Sequence, residues 1–248
     1  MKARIFQTIN AGLYLWREGC GLLVDGLHWG REAGMSELPG PIAEQLRTGR
    51  GLFAHMTGLL FTHLHTDHYD EGYVRMALQD HPELPLYGPK LPGANVTAQE
   101  VRPGVRRFSM GPAEVAAVET AHDGAIFRDM PHMSYLIRMD GESLFIAGDA
   151  ALEPEAGDLV RELYDTPVEG AFLNLYQIVS PKGQEFLRRL APRRLFLYHL
   201  PFPGDDRYQI ILQSRQRLKR MPEGLPPVEF PAALSWVDGS SPEWAEHA

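Results

Sequence analysis

A chain of 248 residues, 44% hydrophobic and 23% charged, with 24 lysines and arginines against 32 aspartates and glutamates for a formal net charge of −8, has the composition of a soluble globular protein. The acidic balance and the lack of any basic run argue against nucleic acid as a partner, and the single cysteine, Cys20, excludes an internal disulfide and a thiolate metal cage. No apolar run approaches the ~18–20 residues that span a bilayer, and Met1–Gly12 lacks the regions of a signal peptide, so the expected address is the cytoplasm and the expected organisation one domain over residues 1–248.

The first 25 residues contain three β-like runs, Arg4–Ile9, Leu13–Arg17 and Gly21–Asp25, joined by short spacers containing glycine. That pattern predicts an antiparallel meander. Gly26 to Pro41 is polar and punctuated by Gly and Pro; it reads as a surface loop able to act as a lid, leading into a helical segment over Ile42–Arg47. From Gly58 the pattern turns to apolar strands followed by amphipathic helices. Leu59–Phe61 reads as a buried strand running into the polar Thr62–Asp70, and Tyr73, Met76 and Ala77 supply the stripe of a helix. Pro85–Tyr87 reads as a short extended piece, Val115–Val118 and Tyr135–Ile137 as strands, and Leu144–Ala147 as another that stops at Gly148-Asp149. The last third alternates strand Ala171–Leu175, helix Gln184–Leu190, strand Leu195–Tyr198 and helix Tyr208–Lys219. The expected class is α/β, with two sheets packed face to face and helices outside.

Thr62-His63-Leu64-His65-Thr66-Asp67-His68 packs three imidazoles and a carboxylate directly after an apolar strand. The chance of H-x-H-x-D-H at this composition is about 0.0008, so a bland polar loop is a poor explanation. His63 and His65 alternate to one side of an extended chain and can reach one ion, whereas Asp67 and His68, where the chain turns, can point at a second. Zinc prefers about four ligands, so others must arrive from distant strand ends. Three residues stand at such ends: His122 after the Val115–Thr120 run, Asp149 after Leu144–Gly148, and His199 after Leu195–Tyr198.

In that order, these seven residues, with the early LLVDG, then THLHTDH, AHDG, FIAGDA and a terminal strand followed by His, resemble the metal-site signature of the metallo-β-lactamase-fold hydrolase superfamily over most of the chain. The resemblance implies a four-layer αββα sandwich of two mixed sheets, with a dinuclear metal site at one sheet edge. It implies His63, His65 and His122 on one ion, Asp67, His68 and His199 on the other, and Asp149 between them. His65 stands where the flavodiiron branch carries Glu, which points to hydrolysis over redox chemistry. Asp149 stands where β-lactamases commonly carry Cys or Ser. AHDG followed by MSYLI is closer to the phosphodiesterase and ascorbate-phosphate lactonase branch than to the glyoxalase-type GHTxG.

The implied cofactor is a pair of divalent ions, Zn2+ first, with Fe or Mn as substitutes. Such a pair lowers the pKa of a shared water from ~16 toward ~7, and Asp67 is the residue expected to orient the resulting hydroxide. The expected substrate is a small molecule with a phosphodiester, lactone or thioester bond. A mononuclear iron dioxygenase of the same fold, using His63, His65, His122 and Asp149, and a non-catalytic metal-binding sensor are the alternatives. For substrate contacts the expectation falls on His28, beside Trp29 in the loop after LLVDG, and on Tyr176 just beyond Phe172–Leu175, with Lys182 and His132 behind them. Arg188, Arg189, Arg193 and Arg194 read as charges at helix ends, and His55, His81 and His247 as surface residues.

Overall fold

The computed structural model describes residues 3–30, 34–221 and 223–238; His247 lies outside them. The meander forms as its spacers predict: β1 (Arg4–Gln7), β2 (Leu13–Arg17) and β3 (Cys20–Val24) pair antiparallel, with Phe6 opposite Tyr14 and Tyr14 opposite Leu23. Two parallel strands extend it, β4 (Met56–Leu60) against β3 and β5 (Leu86–Tyr87) against β4. The second sheet opens with an antiparallel run, β6 (Gln99–Arg102), β7 (Val105–Met110), β8 (Ala113–Ala121), β9 (Pro131–Met139) and β10 (Glu142–Ile146). Three parallel strands complete it: β11 (Val168–Leu173), β12 (Arg194–Leu197) and β13 (Val228–Glu229). The final strand, β14 (Ser235–Trp236), returns to the first sheet and covers the free edge of β1.

Successive side chains of a strand point to opposite faces, and that alternation sorts the core into three layers. Leu13, Leu15, Leu22 and Val24 of the first sheet meet Phe108, Met110, Val115, Tyr135 and Ile137 of the second. On the outer face of the first sheet, Tyr14 and Leu23 pack with Ile42 and Leu46 of α1 (Gly40–Thr48) and Tyr73, Val74 and Ala77 of α2 (Glu71–Asp80). On the outer face of the second, Leu136, Phe145 and Leu173 pack with Val160 of α3 (Pro154–Arg161), Ile178 of α4 (Leu175–Val179), Phe186 and Leu190 of α5 (Pro181–Leu190), and Ile210 of α6 (Ile210–Leu218). Each such side chain contributes roughly 1.5–3 kcal/mol when fully buried. The result is the expected four-layer αββα sandwich, and no helix among the described residues is long and apolar enough to cross a membrane.

The segment from Gly26 to Pro41 is a surface loop only in part: among its described residues Glu37, Pro39, Gly40 and Pro41 are exposed, but others turn inward. Leu27 and His28 are fully buried, and Ser36 and Leu38 nearly so. Its backbone can leave water because its polar groups find partners. Asn10 donates through Nδ2 to the Ser36 carbonyl at 3.1 Å and accepts from the Ser36 N–H at 3.2 Å, and the Leu27 carbonyl accepts from Asp70 N–H at 3.0 Å. In α2 the buried stripe is Tyr73, Val74 and Ala77, while Met76 is exposed. Leu175 opens α4 instead of ending a strand, because Asn174 and Gln177 form a reciprocal capping box.

Candidate metal centre

Residues at the ends of β4, β8, β10 and β12 meet at one edge of the two sheets. The structure brings together all seven side chains singled out above, in two groups: His63, His65, His122 and Asp149, and Asp67, His68 and His199. Within each group the potential ligand atoms lie within 4.8 Å of one another. Asp149 stands between them, its Oδ2 3.8 Å from His63 Nε2, 3.9 Å from His122 Nε2 and 3.5 Å from His68 Nε2.

The outer hydrogen bonds of the rings decide which nitrogens carry lone pairs into this space. His122 Nδ1 donates to the Asp123 carbonyl at 2.5 Å, which leaves its buried Nε2 a bare acceptor with no hydrogen-bond partner. His68 Nδ1 donates to Asp25 Oδ2 at 2.9 Å, so its Nε2 too is turned inward unprotonated in the neutral ring. Thr62 gives its hydroxyl proton to Asp25 Oδ2 at 2.7 Å and therefore accepts from His63 Nδ1 at 3.0 Å, which aims the lone pair of His63 Nε2 the same way. Two pairs of ring nitrogens then face each other: His63 Nε2 and His65 Nδ1 at 3.0 Å, and His68 Nε2 and His199 Nε2 at 3.1 Å. Two facing lone pairs would repel, so a cation or a proton stands between each pair, and without an ion His199 Nε2 donates to Asp67 Oδ2 at 3.0 Å. The donor set, five imidazoles and two carboxylates, fits divalent transition ions.

Electrostatics follow from this crowding. Burial, reinforced by the neighbouring imidazoles, holds His63 and His65 below the ordinary imidazole range, the neutral form that a ligand needs. Burial works against charge on His68 and Asp67 as well, but the carboxylates around His68 overcome it and raise that ring, while His68 and His199 hold Asp67 below the usual carboxylate range.

Of the supporting residues, motif reading singled out only His132, and that beside the substrate; it passed over Asp25 and Asn174. Asp25 is completely buried and accepts from Thr62 N–H, Thr62 O–H and His68; the LLVDG run holds it, but nothing there announces its partners. Asn174 donates through Nδ2 to Asp149 Oδ1 at 3.0 Å, leaving Oδ2 for the centre. His132 accepts from Asp149 N–H at Nε2, 3.0 Å away, so its proton sits on Nδ1 and goes to Thr120 Oγ1 at 2.7 Å. Burial pushes its pKa down to about 3, which keeps it the neutral acceptor this contact requires. His28, expected beside the substrate, is fully buried with both ring nitrogens unpartnered and does not line the cleft described below; Tyr176 does. Lys182 instead pairs with Glu153 at 2.7 Å on the surface.

Gly148 is the tightest backbone position at the centre. At φ +59°, a Cβ there would lie 2.6 Å from His132 Nε2 and 2.7 Å from Thr62 Cβ. Gly148→Ala is therefore expected to cost at least ~2 kcal/mol, from left-handed strain plus the clash, read as a lower midpoint in urea unfolding. An unchanged midpoint would show that Thr62 and His132 can give way.

A cleft of about 350 Å3 opens beside the two groups, walled by His122, Asp149 and His199 together with Phe127, Leu175, Tyr176 and Ile210. A larger hollow of about 540 Å3, beside Lys90, Arg106 and Arg128, touches none of the seven residues.

No protein-family model matches the sequence, and no curated protein matches it. Solved structures do match in shape. The metallo-β-lactamase fold protein YhfI from Bacillus subtilis is 13% identical with a TM-score of 0.63, over 94% of this chain and 98% of that one. An isothiocyanate hydrolase from Delia radicum gut bacteria is 15% identical with a TM-score of 0.62, over 94% and 97%. CmlA, a diiron beta-hydroxylase from Streptomyces venezuelae, is 17% identical with a TM-score of 0.56; the match covers 94% of this chain, which spans only 53% of that protein. With the strand order, the layers and the two His/Asp groups already described, these likenesses identify the fold of this chain as the metallo-β-lactamase fold.

Proposed function

We propose that the chain is a metal-dependent hydrolase that holds two divalent ions, Zn2+ first, and cleaves an ester-type bond of a small molecule. The observation that carries this reading is the convergence of imidazole lone pairs described above, above all the buried and partnerless Nε2 of His122. In this proposal His63, His65 and His122 would hold one ion and Asp67, His68 and His199 the other, with Asp149 placed between the two groups. The isothiocyanate hydrolase supports it as a hydrolase of the same fold and similar length. When bound, the two ions supply Lewis acidity, making a water easier to deprotonate and an electrophilic carbonyl or phosphoryl group easier to attack.

The rest is the work of this chain. Asp67 accepts a proton of the attacking water at its carboxylate and so orients the oxygen lone pair. Asn174 and His132 fix Asp149 from either side, and Asp25 with Thr62 fixes the rings of His63 and His68, so the centre needs little rearrangement on binding. We place the reaction in the cytoplasm, where a lone thiol such as the buried Cys20 stays reduced.

The diiron hydroxylase of the same fold favours a second reading, an oxygen-activating pair of irons. Metal analysis separates the two. Purified protein reconstituted with metal is expected to retain about two equivalents, and a chelator is expected to lower the melting temperature, since ligand at about 100 times its Kd adds ~2.7 kcal/mol to the folded state. Fewer than about 0.5 equivalents, or a melting temperature indifferent to chelator, overturns the proposal. Retention of iron alone, with oxygen uptake, moves it to the second reading.

A further inference from the structure

Resting on the hydrolase reading, we propose that the substrate is an uncharged carboxylic ester or lactone carrying an apolar chain or ring, and not an anionic phosphodiester. The cleft beside the metal groups is walled by Met35, Phe127, Leu175, Tyr176, Leu200 and Ile210, with Asp123, Asn174 and Gln213 as its polar members apart from the metal-binding residues. No lysine or arginine lines it among the described residues. Two of its large walls also stand out into solvent, Tyr176 at 64% and Phe127 at 37% exposed, and Ile126, next to Phe127 in sequence, is 86% exposed. Tyr208, 58% exposed, packs where a side chain on Gly34 would lie, next to Met35. Exposed apolar surface gathered around a concave site marks a place where apolar ligand surface is removed from water.

The charges point the same way. A phosphodiester keeps a negative charge at every physiological pH; the two ions proposed here would attract it at the centre, and sites built for it add Arg, Lys or free backbone N–H groups for the remaining phosphoryl oxygens. Among the described residues no lysine or arginine is part of the cleft wall. Arg128 lines the separate hollow with Lys90 and Arg106. Arg217 stands over the Tyr176 ring, 6.0 Å from its centroid, but lines a different surface hollow with Arg220. The start of α4 offers no free amide at Gln177, because Asn174 already accepts from it at 3.0 Å. Asp123, in the cleft wall, repels a second anion. A neutral acyl compound meets none of these penalties and can lay its apolar part along Phe127, Leu175 and Ile210.

The reaction then balances simply. The oxygen of water bonds to the acyl carbon, the acyl carbon–oxygen bond to the leaving alcohol breaks, and the alkoxide takes a proton from the attacking water. The products are an alcohol and a carboxylic acid, joined in one hydroxy acid when the substrate is a lactone.

The test uses the zinc-reconstituted chain with p-nitrophenyl acetate, butyrate and hexanoate, the anionic p-nitrophenyl hemisuccinate, and bis(p-nitrophenyl) phosphate. Expected are a kcat/KM that rises about fourfold for each added methylene, and a hemisuccinate rate at least ~10-fold below that of butyrate. The phosphodiester should be slower than every neutral ester. Ile210→Asp should flatten the chain-length dependence. As a readout apart from turnover, hexanamide should raise the melting temperature of the wild type more than that of Ile210→Asp, whose fold is checked by circular dichroism. A phosphodiester cleaved faster than all the esters, or a flat ester series in the wild type, overturns the inference and leaves the hydrolase reading standing. No turnover of any of these compounds with two ions bound removes the hydrolase reading and the inference together.

Discussion

Asp67→Asn is expected to leave a folded protein whose hydrolytic rate is at least ~100-fold lower, about 2.7 kcal/mol in the barrier. The THLHTDH motif places Asp67 in a polar loop at the rim, yet the folded side chain is only 9% exposed, so the tolerance of the substitution rests on shape and not on exposure. Asn matches Asp in size, and its amide oxygen can still accept from His199 Nε2, which lies 3.0 Å from Asp67 Oδ2. What Asn lacks is charge and basicity. It cannot offset the charge of an ion shared with His68 and His199, and a neutral amide is a poor acceptor for the proton of an attacking water. The expected pattern is a melting temperature of the metal-free protein near that of the wild type, a loss of up to one equivalent of metal, and the rate loss above on whichever ester is turned over. Near-wild-type turnover would make Asp67 a loop-capping residue.

The seven residues of the centre are legible in the sequence because four of them belong to residue types seldom crowded together and because His122, Asp149 and His199 each follow an apolar run. The layers are legible for a related reason: strands such as Leu144–Ala147 and Leu195–Tyr198 are buried on both faces and read as continuous apolar runs. What escapes is whatever depends on pairing across distance. β6, Gln99–Arg102, is exposed along its whole length, so no alternation marks it, and only its pairing with β7 makes it a strand. The loop from Gly26 to Pro41 is polar by composition, yet Leu27, His28, Ser36 and Leu38 within it are buried, and Asn10, 26 positions before Ser36, satisfies the Ser36 backbone at both its N–H and its carbonyl. The same holds for His132 and Asn174, which take their meaning from Asp149. No spacing rule connects residues 17 and 25 positions apart on different strands.

Asp25 is the strongest case of this kind, and Asp25→Ala is expected to be among the most damaging substitutions near the centre. The carboxylate is wholly buried, with Thr62 N–H and Thr62 O–H each 2.7 Å away and His68 Nδ1 at 2.9 Å. Removing it strands three donors in a dry interior, at roughly 1–3 kcal/mol for each that finds no other partner. The backbone adds to this, since residue 25 sits at φ +50°, a left-handed conformation that Asp tolerates better than Ala. A total of about 4 kcal/mol is a large part of the ~5–15 kcal/mol that holds a domain together, and corresponds to a fall in melting temperature of roughly 10 °C or more for a chain of this size. The metal centre should suffer in a specific way. Without Asp25 only Thr62 Oγ1, at 3.5 Å, is left beside His68 Nδ1, so the ring can more readily shift its proton to Nε2, the nitrogen that faces His199 and Asp149. Asp25→Asn separates the two effects: it keeps the size, accepts the left-handed backbone and retains one acceptor for Thr62, but turns an amide N–H toward Thr62 Oγ1 and His68. It should melt closer to the wild type and still bind the ion of Asp67, His68 and His199 at least ~10-fold more weakly than the ion of His63, His65 and His122. Melting curves and metal titrations of both variants check this, and wild-type behaviour of Asp25→Ala in both would show that His68 is oriented by something other than Asp25.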